Sequence, residues 1–194
     1  MLALRQAIEE KGRVLSDSIL KVDTFLNHQI DPVLMQQIGQ AFARRFKEEG
    51  ITKILTIETS GIPPAYATAV ELNVPLIFAK KTQPGTMRDP LSTEVYSFTK
   101  QKPYTICLER GLLEPGDRVL FIDDFLANGE ALKGAIRLTE GCGAQVVGVG
   151  IVIAKAFQKG PDWIRAQGLP YCPLASIRAF KDGRVIFEED EKTG

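Results

Sequence analysis

The sequence has little of what several large classes of protein require. Only three of its 194 residues are cysteine, at positions 107, 142 and 172. The number is odd, the spacing is wide and no pair has metal-ligand spacing, which argues against a disulfide scaffold or a zinc site and makes reduced, cytosolic thiols the expectation. A single histidine, His28, has no partner residue nearby to make it a base or a ligand. Neither sign of charge is in excess: 24 Lys and Arg balance 24 Asp and Glu, so no dedicated nucleic-acid or anionic-membrane surface is expected. No apolar run reaches membrane-spanning length. The opening residues, Met1-Leu-Ala-Leu-Arg-Gln-Ala-Ile-Glu-Glu-Lys, mix acids and bases where a secretory signal needs an apolar core, and read as a short amphipathic helix. Internal repeats and low-complexity tracts are also absent.

What is present is ordinary for a soluble globular chain, with 44% apolar and 25% charged residues. The length suits one domain, or a domain with a small appendage, around a proper core. Asp31-Pro32 offers an N-cap followed by proline at the first helical position. Val33, Leu34, Ile38, Ala41, Phe42 and Phe46 then recur at helical spacing until Gly50. Thr52 to Glu58 reads as a strand closed by Thr59-Ser60-Gly61, with Pro63 and Pro64 opening a helix and Val74 to Ala79 forming the next strand. Lys80 to Pro90 is polar and rich in breakers, and is expected to be a mobile loop. Val95 to Thr99 and Tyr104 to Leu108 suggest an antiparallel pair, and Arg118 to Asp123 and Gln145 to Ala154 two apolar strands. Tyr171 to Ala179 and Val185 to Phe187 suggest a hairpin across Lys181-Asp182-Gly183. Strands alternating with helices imply right-handed crossovers and a mostly parallel α/β sheet with strands added at an edge. The first 30 residues, where Ser18 to Asp23 alternates like a short strand, fit no such unit and are expected to form a small hood over the sheet's carboxyl edge.

Val119 to Ala131 is the most informative stretch. Its unbroken apolar run suits a central strand covered on both faces, and it leads straight into Asp123 and Asp124. Ala127, Asn128 and Gly129 carry little bulk before helical periodicity resumes at Ala131, Leu132, Ala135, Ile136 and Leu138. Open amides and the helix dipole favour an anion such as phosphate there. The acids would repel that phosphate if aimed at it, so they face another part of the same ligand, such as sugar hydroxyls or a metal ion. A ligand carrying phosphate, a sugar diol and Mg²⁺ satisfies both halves; acids merely solvated at a strand end are the competing reading. Glu58-Thr59-Ser60-Gly61 is a second place where backbone amides meet an anion or simply cap a helix. Lys80 and Lys81 either neutralise that anion or are solvated. Lys155, after Val149 to Ala154, falls at the same sheet edge as Asp123, one strand away.

Val119 to Ala131 resembles the phosphoribosyl-diphosphate signature of the type I phosphoribosyltransferases. Over essentially its whole length the chain resembles the bacterial xanthine phosphoribosyltransferases of the smaller, adenine-transferase-related type. The words that carry this are Leu15-Ser-Asp-Ser-Ile-Leu-Lys-Val-Asp-Thr-Phe-Leu-Asn-His-Gln-Ile-Asp, Val95-Tyr-Ser-Phe-Thr-Lys and Ile122-Asp-Asp-Phe-Leu-Ala-Asn-Gly. The resemblance implies the type I fold: a central, mostly parallel sheet flanked by helices, with a small N-terminal hood and an edge hairpin. It implies one domain over residues 1–194, with roughly residues 1–30 forming much of the hood.

The implied reaction is pentosyl transfer from phosphoribosyl diphosphate (PRPP) to xanthine, giving xanthosine monophosphate and diphosphate in a cytoplasmic homodimer. By the same resemblance Asp123 and Asp124 hold the ribose hydroxyls, while Ala127, Asn128, Gly129, Glu130 and Ala131 wrap the 5-phosphate. Ser60, Gly61, Lys80 and Lys81 meet the diphosphate; in related enzymes one basic residue at the lysine position reaches into the neighbouring subunit. Leu20 and Asn27 contact the purine, although on their own residues they read as core and turn cap. Lys155 would hold the 6-oxygen, selecting an oxopurine over adenine. Mg²⁺ is implied as an ion carried by PRPP, with no direct protein ligands. Many members have threonine where this chain has Asn128 and Ala131, so fewer hydroxyls would meet the phosphate. Guanine and hypoxanthine share the 6-oxo group, which leaves a broader 6-oxopurine specificity as the alternative. A regulator that only senses PRPP would need an added basic DNA-binding domain, for which neither the net charge nor the sequence before the first helix makes room. Activated ribose must be kept from water, so a lid is expected over Lys81 to Pro90.

Overall fold

The computed structural model describes residues 1–97 and 101–188. The chain opens with α1 (Leu2–Lys11), the hairpin β1 (Arg13–Ser16) and β2 (Ile19–Lys21), a wide helical turn at Asp23–Asn27 and α2 (Pro32–Phe46). β3 (Lys53–Ile57), α3 (Ile62–Leu72) and β4 (Leu76–Ala79) follow, then β5 (Pro90–Ser97) and β6 (Lys102–Glu109). The remainder is β7 (Arg118–Leu126), α4 (Glu130–Gly141), β8 (Gln145–Lys155), α5 (Lys159–Ala166), β9 (Tyr171–Lys181) and β10 (Arg184–Phe187).

Six strands form the central sheet in the order β10-β9-β8-β7-β3-β4. All neighbours are parallel except β9 and β10. The antiparallel edge pair turns at Asp182 and Gly183, both with positive φ, as a two-residue hairpin of right-handed twist demands. Helices α2 and α3 cover one face, with Phe42 and Phe46 of α2 resting over Gly150 and Gly148 of β8. A Cβ at either glycine would come within 2.9 Å of a ring carbon. The other face is covered by α4 and α5 together with the β5–β6 ribbon, through Leu132, Leu138, Ile164, Val95 and Ile106. Asp31 caps α2 as its sequence implies, accepting from the N–H groups of Val33 and Leu34 at 3.1 Å.

Strand order places the site. From β3 the chain moves outward through α3 to β4, whereas from β7 it moves the other way through β8 to β9. The carboxyl ends of β3 and β7 therefore flank the point where the winding reverses, and such crevices are where open α/β sheets bind ligands. Residues of the first 30 lie over this same edge, with Leu20, Val22, Phe25 and Leu26 packed into the core beside Leu4 and Ile8 of α1.

Three elements around the site differ from the sequence reading. β7 continues to Leu126, so the two acids lie inside the strand and the loop shrinks to residues 127–129. β5 starts at Pro90 instead of Val95, because its polar residues line a ribbon with only one partly covered face; the expected strand end at Phe98 and Thr99 lies outside the described residues. Helix α5 was not expected, and it carries Gly160 and Pro161 in its first turn. Proline is tolerated there, where its missing N–H has no intrahelical partner to lose.

Candidate active site

Because β7 stays extended through both acids, side-chain alternation sends them to opposite faces. Asp123 turns toward the ribbon, into a cleft lined by Tyr96, Ser97 and Tyr104 on one side and Ala127 to Ala131 on the other. Asp124 turns toward the hood and is buried, its Oδ2 accepting from Asn27 Nδ2 at 3.2 Å. Asp123 Oδ1 accepts from the N–H of Asp124 at 3.0 Å.

The carboxyl of Asp123 is held well above the ordinary carboxylate range, first by burial and then by the charge of Asp124, with Lys81 opposing. The Tyr104 hydroxyl, which lines the same cleft, is also raised, by burial and then by the charge of Asp123.

Ala127, Asn128 and Gly129 bridge β7 to α4. Gly129 takes φ +84° as the residue before the helix, a conformation that side chains disfavour. Its turn leaves the first amides of α4 open to the cleft. Glu130 and Ala131 contribute backbone here; the Glu130 carboxylate is paired with Lys133 at 2.7 Å. Across the crevice, Gly61 precedes α3 with no side-chain cap, and a Cβ there would come within 2.8 Å of Asp123 Oδ1. Gly61, which follows Ser60, thus stands directly against Asp123, and the two loops meet at that carboxylate.

The adjacent lysines part company. Lys80 leaves the loop altogether: its N–H and C=O bond Cys107 at 2.8 and 2.9 Å, and its ammonium lies 5.3 Å from the Phe78 ring centre, away from the residues lining the cleft. Lys81 lies toward the cleft, its ammonium 5.8 Å from the Tyr104 ring centre and its N–H bonded to Glu58 Oε1 at 2.6 Å. The loop read as mobile is tied at both ends, since Glu109 accepts from the N–H groups of Arg88 and Asp89 at 3.0 Å. It is the β5–β6 ribbon, more than this loop, that walls the cleft.

Beneath the hood, Lys155 donates to the Ser18 carbonyl at 2.6 Å and lies 5.5 Å from the Phe125 ring centre. Burial pulls its pKa down, and the charge of Asp124 acts against that shift. Asn27, Asp124 and Lys155 therefore form one polar group on the hood side of β7, while Leu20 is a buried member of the hood's own core.

Sequence reasoning passed over Tyr104 and Gly160. Tyr104 sits in a ribbon strand with no motif around it. Gly160 donates its N–H to the Ala127 carbonyl at 2.9 Å, and a Cβ there would collide with that oxygen, so the first turn of α5 backs the phosphate-type loop from behind. Glycine before proline was the only local signal for it.

Residues 27–178 match the family described as the phosphoribosyl transferase domain. A xanthine phosphoribosyltransferase of Oenococcus oeni is 52% identical over 191 residues, covering 98% of this chain and 93% of the relative. One from Bacillus cereus is 53% identical over 192 residues, covering 98% of each. The solved adenine phosphoribosyltransferase of Trypanosoma brucei superposes with a TM-score of 0.75 over 89% of this chain and 79% of that one, at 24% identity, which shows the shared fold. The chain belongs to the phosphoribosyl transferase domain family and, within it, to the xanthine phosphoribosyltransferases.

Proposed function

We propose that this chain transfers the 5-phosphoribosyl group of PRPP to N9 of xanthine, releasing diphosphate and xanthosine 5′-monophosphate, as a cytoplasmic homodimer in purine salvage. The observation that carries this reading is the convergence of the Gly61 turn, Asp123 and the 127–129 loop at the winding reversal, with Asp124 joined to Asn27 of the hood. The cleft beside Asp123 and the 127–129 loop would take the sugar phosphate, the α3 N-terminus the diphosphate, and the Asn27, Asp124 and Lys155 group the base.

In this reaction the bond from the ribose anomeric carbon to the diphosphate oxygen breaks, its electron pair leaving with diphosphate. The N9 lone pair then closes on that carbon, and the proton lost by xanthine goes to solvent. The transition state is oxocarbenium-like, so the chain acts by placing charge and aligning the reactants. Asp123 and Asp124 hold the ribose and set negative charge near the developing cation. The amides of residues 128–131 hold the 5-phosphate, those at Ser60 and Gly61 the diphosphate, and Lys81 offsets its charge. Leu20, Asn27 and Lys155 form the base side, with Lys155 facing the 6-oxygen.

No group of three or more His, Cys, Asp or Glu able to hold a metal occurs among the described residues. Mg²⁺ fits as an ion carried on the oxygens of PRPP, with the hard carboxylate oxygens of this edge nearby. Bound there, it would neutralise charge on the departing diphosphate.

A broader 6-oxopurine preference is the second reading, favoured by Lys155, whose ammonium would recognise a group that guanine and hypoxanthine also carry. The test is diphosphate release from xanthine, PRPP and Mg²⁺, with a panel of purines as competitors. Asp124→Asn should abolish turnover, and an unchanged rate in that variant would overturn the site assignment.

A further inference from the structure

Thr56, the fourth residue of β3, is fully buried, and its hydroxyl has no hydrogen-bond partner. Its chain neighbours Leu55 and Ile57 are apolar core. A buried hydroxyl without a partner is destabilising, so packing alone would favour a valine of the same shape here. An orphan of this kind calls for a reason.

Its position supplies one. A Cβ on Gly61 would collide with Thr56 Oγ1 and would come within 2.8 Å of Asp123 Oδ1. Both oxygens therefore converge on the gap that glycine leaves at the N-terminus of α3. Asp123 Oδ1 accepts from the Asp124 N–H, and a carboxylate oxygen has capacity for a second donor. The hydroxyl is the donor held in reserve beside it.

We propose that Thr56 is a positioning residue of the PRPP site: its hydroxyl donates to Asp123 Oδ1 when the ribose hydroxyls engage that carboxylate, fixing the acid between the sugar and β3. The inference rests on the function proposed above. In the empty protein the donor is idle and weakens the fold; in the complex it is satisfied. The same group therefore trades stability for affinity, as residues at binding sites commonly do. The effect belongs to PRPP binding and not to the base, because the carboxylate that Thr56 would bond is Asp123, whereas Asn27 bonds Asp124.

The test compares the whole chain with Thr56→Val and Thr56→Ser. The measurements are the Kd for PRPP with Mg²⁺ by calorimetry, KM and kcat with PRPP varied, and the melting temperature without ligand. The valine variant should bind PRPP about tenfold or more weakly, the scale of one hydrogen bond to a charged group. Its kcat should change less than its KM, and it should melt no lower than wild type. The serine variant, which keeps the hydroxyl, should stay within about twofold of wild type in Kd. Wild-type affinity in Thr56→Val overturns the proposal, as does a loss in Thr56→Ser equal to that in the valine variant. A valine variant that melts below wild type, or fails to fold, would show that the hydroxyl already has a structural task and would overturn it too. A wild-type chain that does not bind PRPP would instead remove the functional reading beneath it.

Discussion

Asp123 and Asp124 are one peptide bond apart, yet the pleat of β7 gives them different surroundings. Asp124 meets the hood amide of Asn27, and Asp123 meets a cleft where burial and its neighbour's charge favour the protonated form. In its proposed role as a ribose acceptor, Asp123 must be ionised. Activity should therefore rise with pH through its elevated folded pKa, and the acid limb of kcat/KM for PRPP should lie above the ordinary carboxylate range. An acid limb at the usual carboxylate position would contradict this.

For stability the sign is opposite. A pKa raised by folding stabilises the protein below the unfolded carboxylate pKa, and that contribution is lost as pH rises through the folded value. Asp123→Asn should consequently lose turnover while melting higher than wild type at pH 8 without ligand, by roughly 1–4 °C for a chain of this length. The gain should vanish in acid. Thermal melts at the two pH values check both halves.

Among the elements, α5 shows how a loop is held by something distant in sequence. Gly160 sits against the Ala127 carbonyl, and Lys133 on α4 bridges to α5 by stacking 5.3 Å from the Trp163 ring centre while pairing with Glu130. The 127–129 loop is thus clamped from both sides. Gly160→Ala would drive a methyl into the Ala127 oxygen and displace the loop. KM for PRPP should rise roughly 10- to 100-fold, since small misplacements in a positioning site cost that much. A wild-type KM would show that the loop is positioned without α5.

Legibility followed the strength of local signals. α2 announced itself by cap, proline and period, and the edge hairpin by Asp182-Gly183. β7 was recognised by its apolar run but not its end, because acids at a strand terminus and acids within a strand look alike in one dimension. α5 and the start of β5 carry breakers and polar residues whose reasons lie in contacts with other elements.

At the scale of the whole molecule, the hood and sheet share a polar group in which Asn27 from the first 30 residues reaches Asp124 on β7, and Lys155 on β8 reaches Ser18. On the proposed roles of these residues, base selection and ribose holding are in contact. Asn27→Ala should reduce the preference for xanthine over guanine by about tenfold or more, because a polar site loses discrimination when its partner is removed. The ratio of kcat/KM values across a purine panel measures it, and an unaltered ratio would count against the hood as selector.

Composition and periodicity were enough to determine the α/β class, because apolar period and turn chemistry are local properties of a chain. The Val119 to Ala131 segment alone pointed to a phosphate-and-sugar site, and the resemblance of longer stretches, from Leu15 to Asp31 above all, pointed to the family. Tertiary structure alone decided that the acids face apart, that Lys81 and not Lys80 approaches the cleft, that Tyr104 lines the cleft, and that Thr56 and Gly160 pack behind its loops. Those facts depend on strand twist, winding reversal and close approach between residues far apart in sequence, and no window of neighbouring residues encodes them.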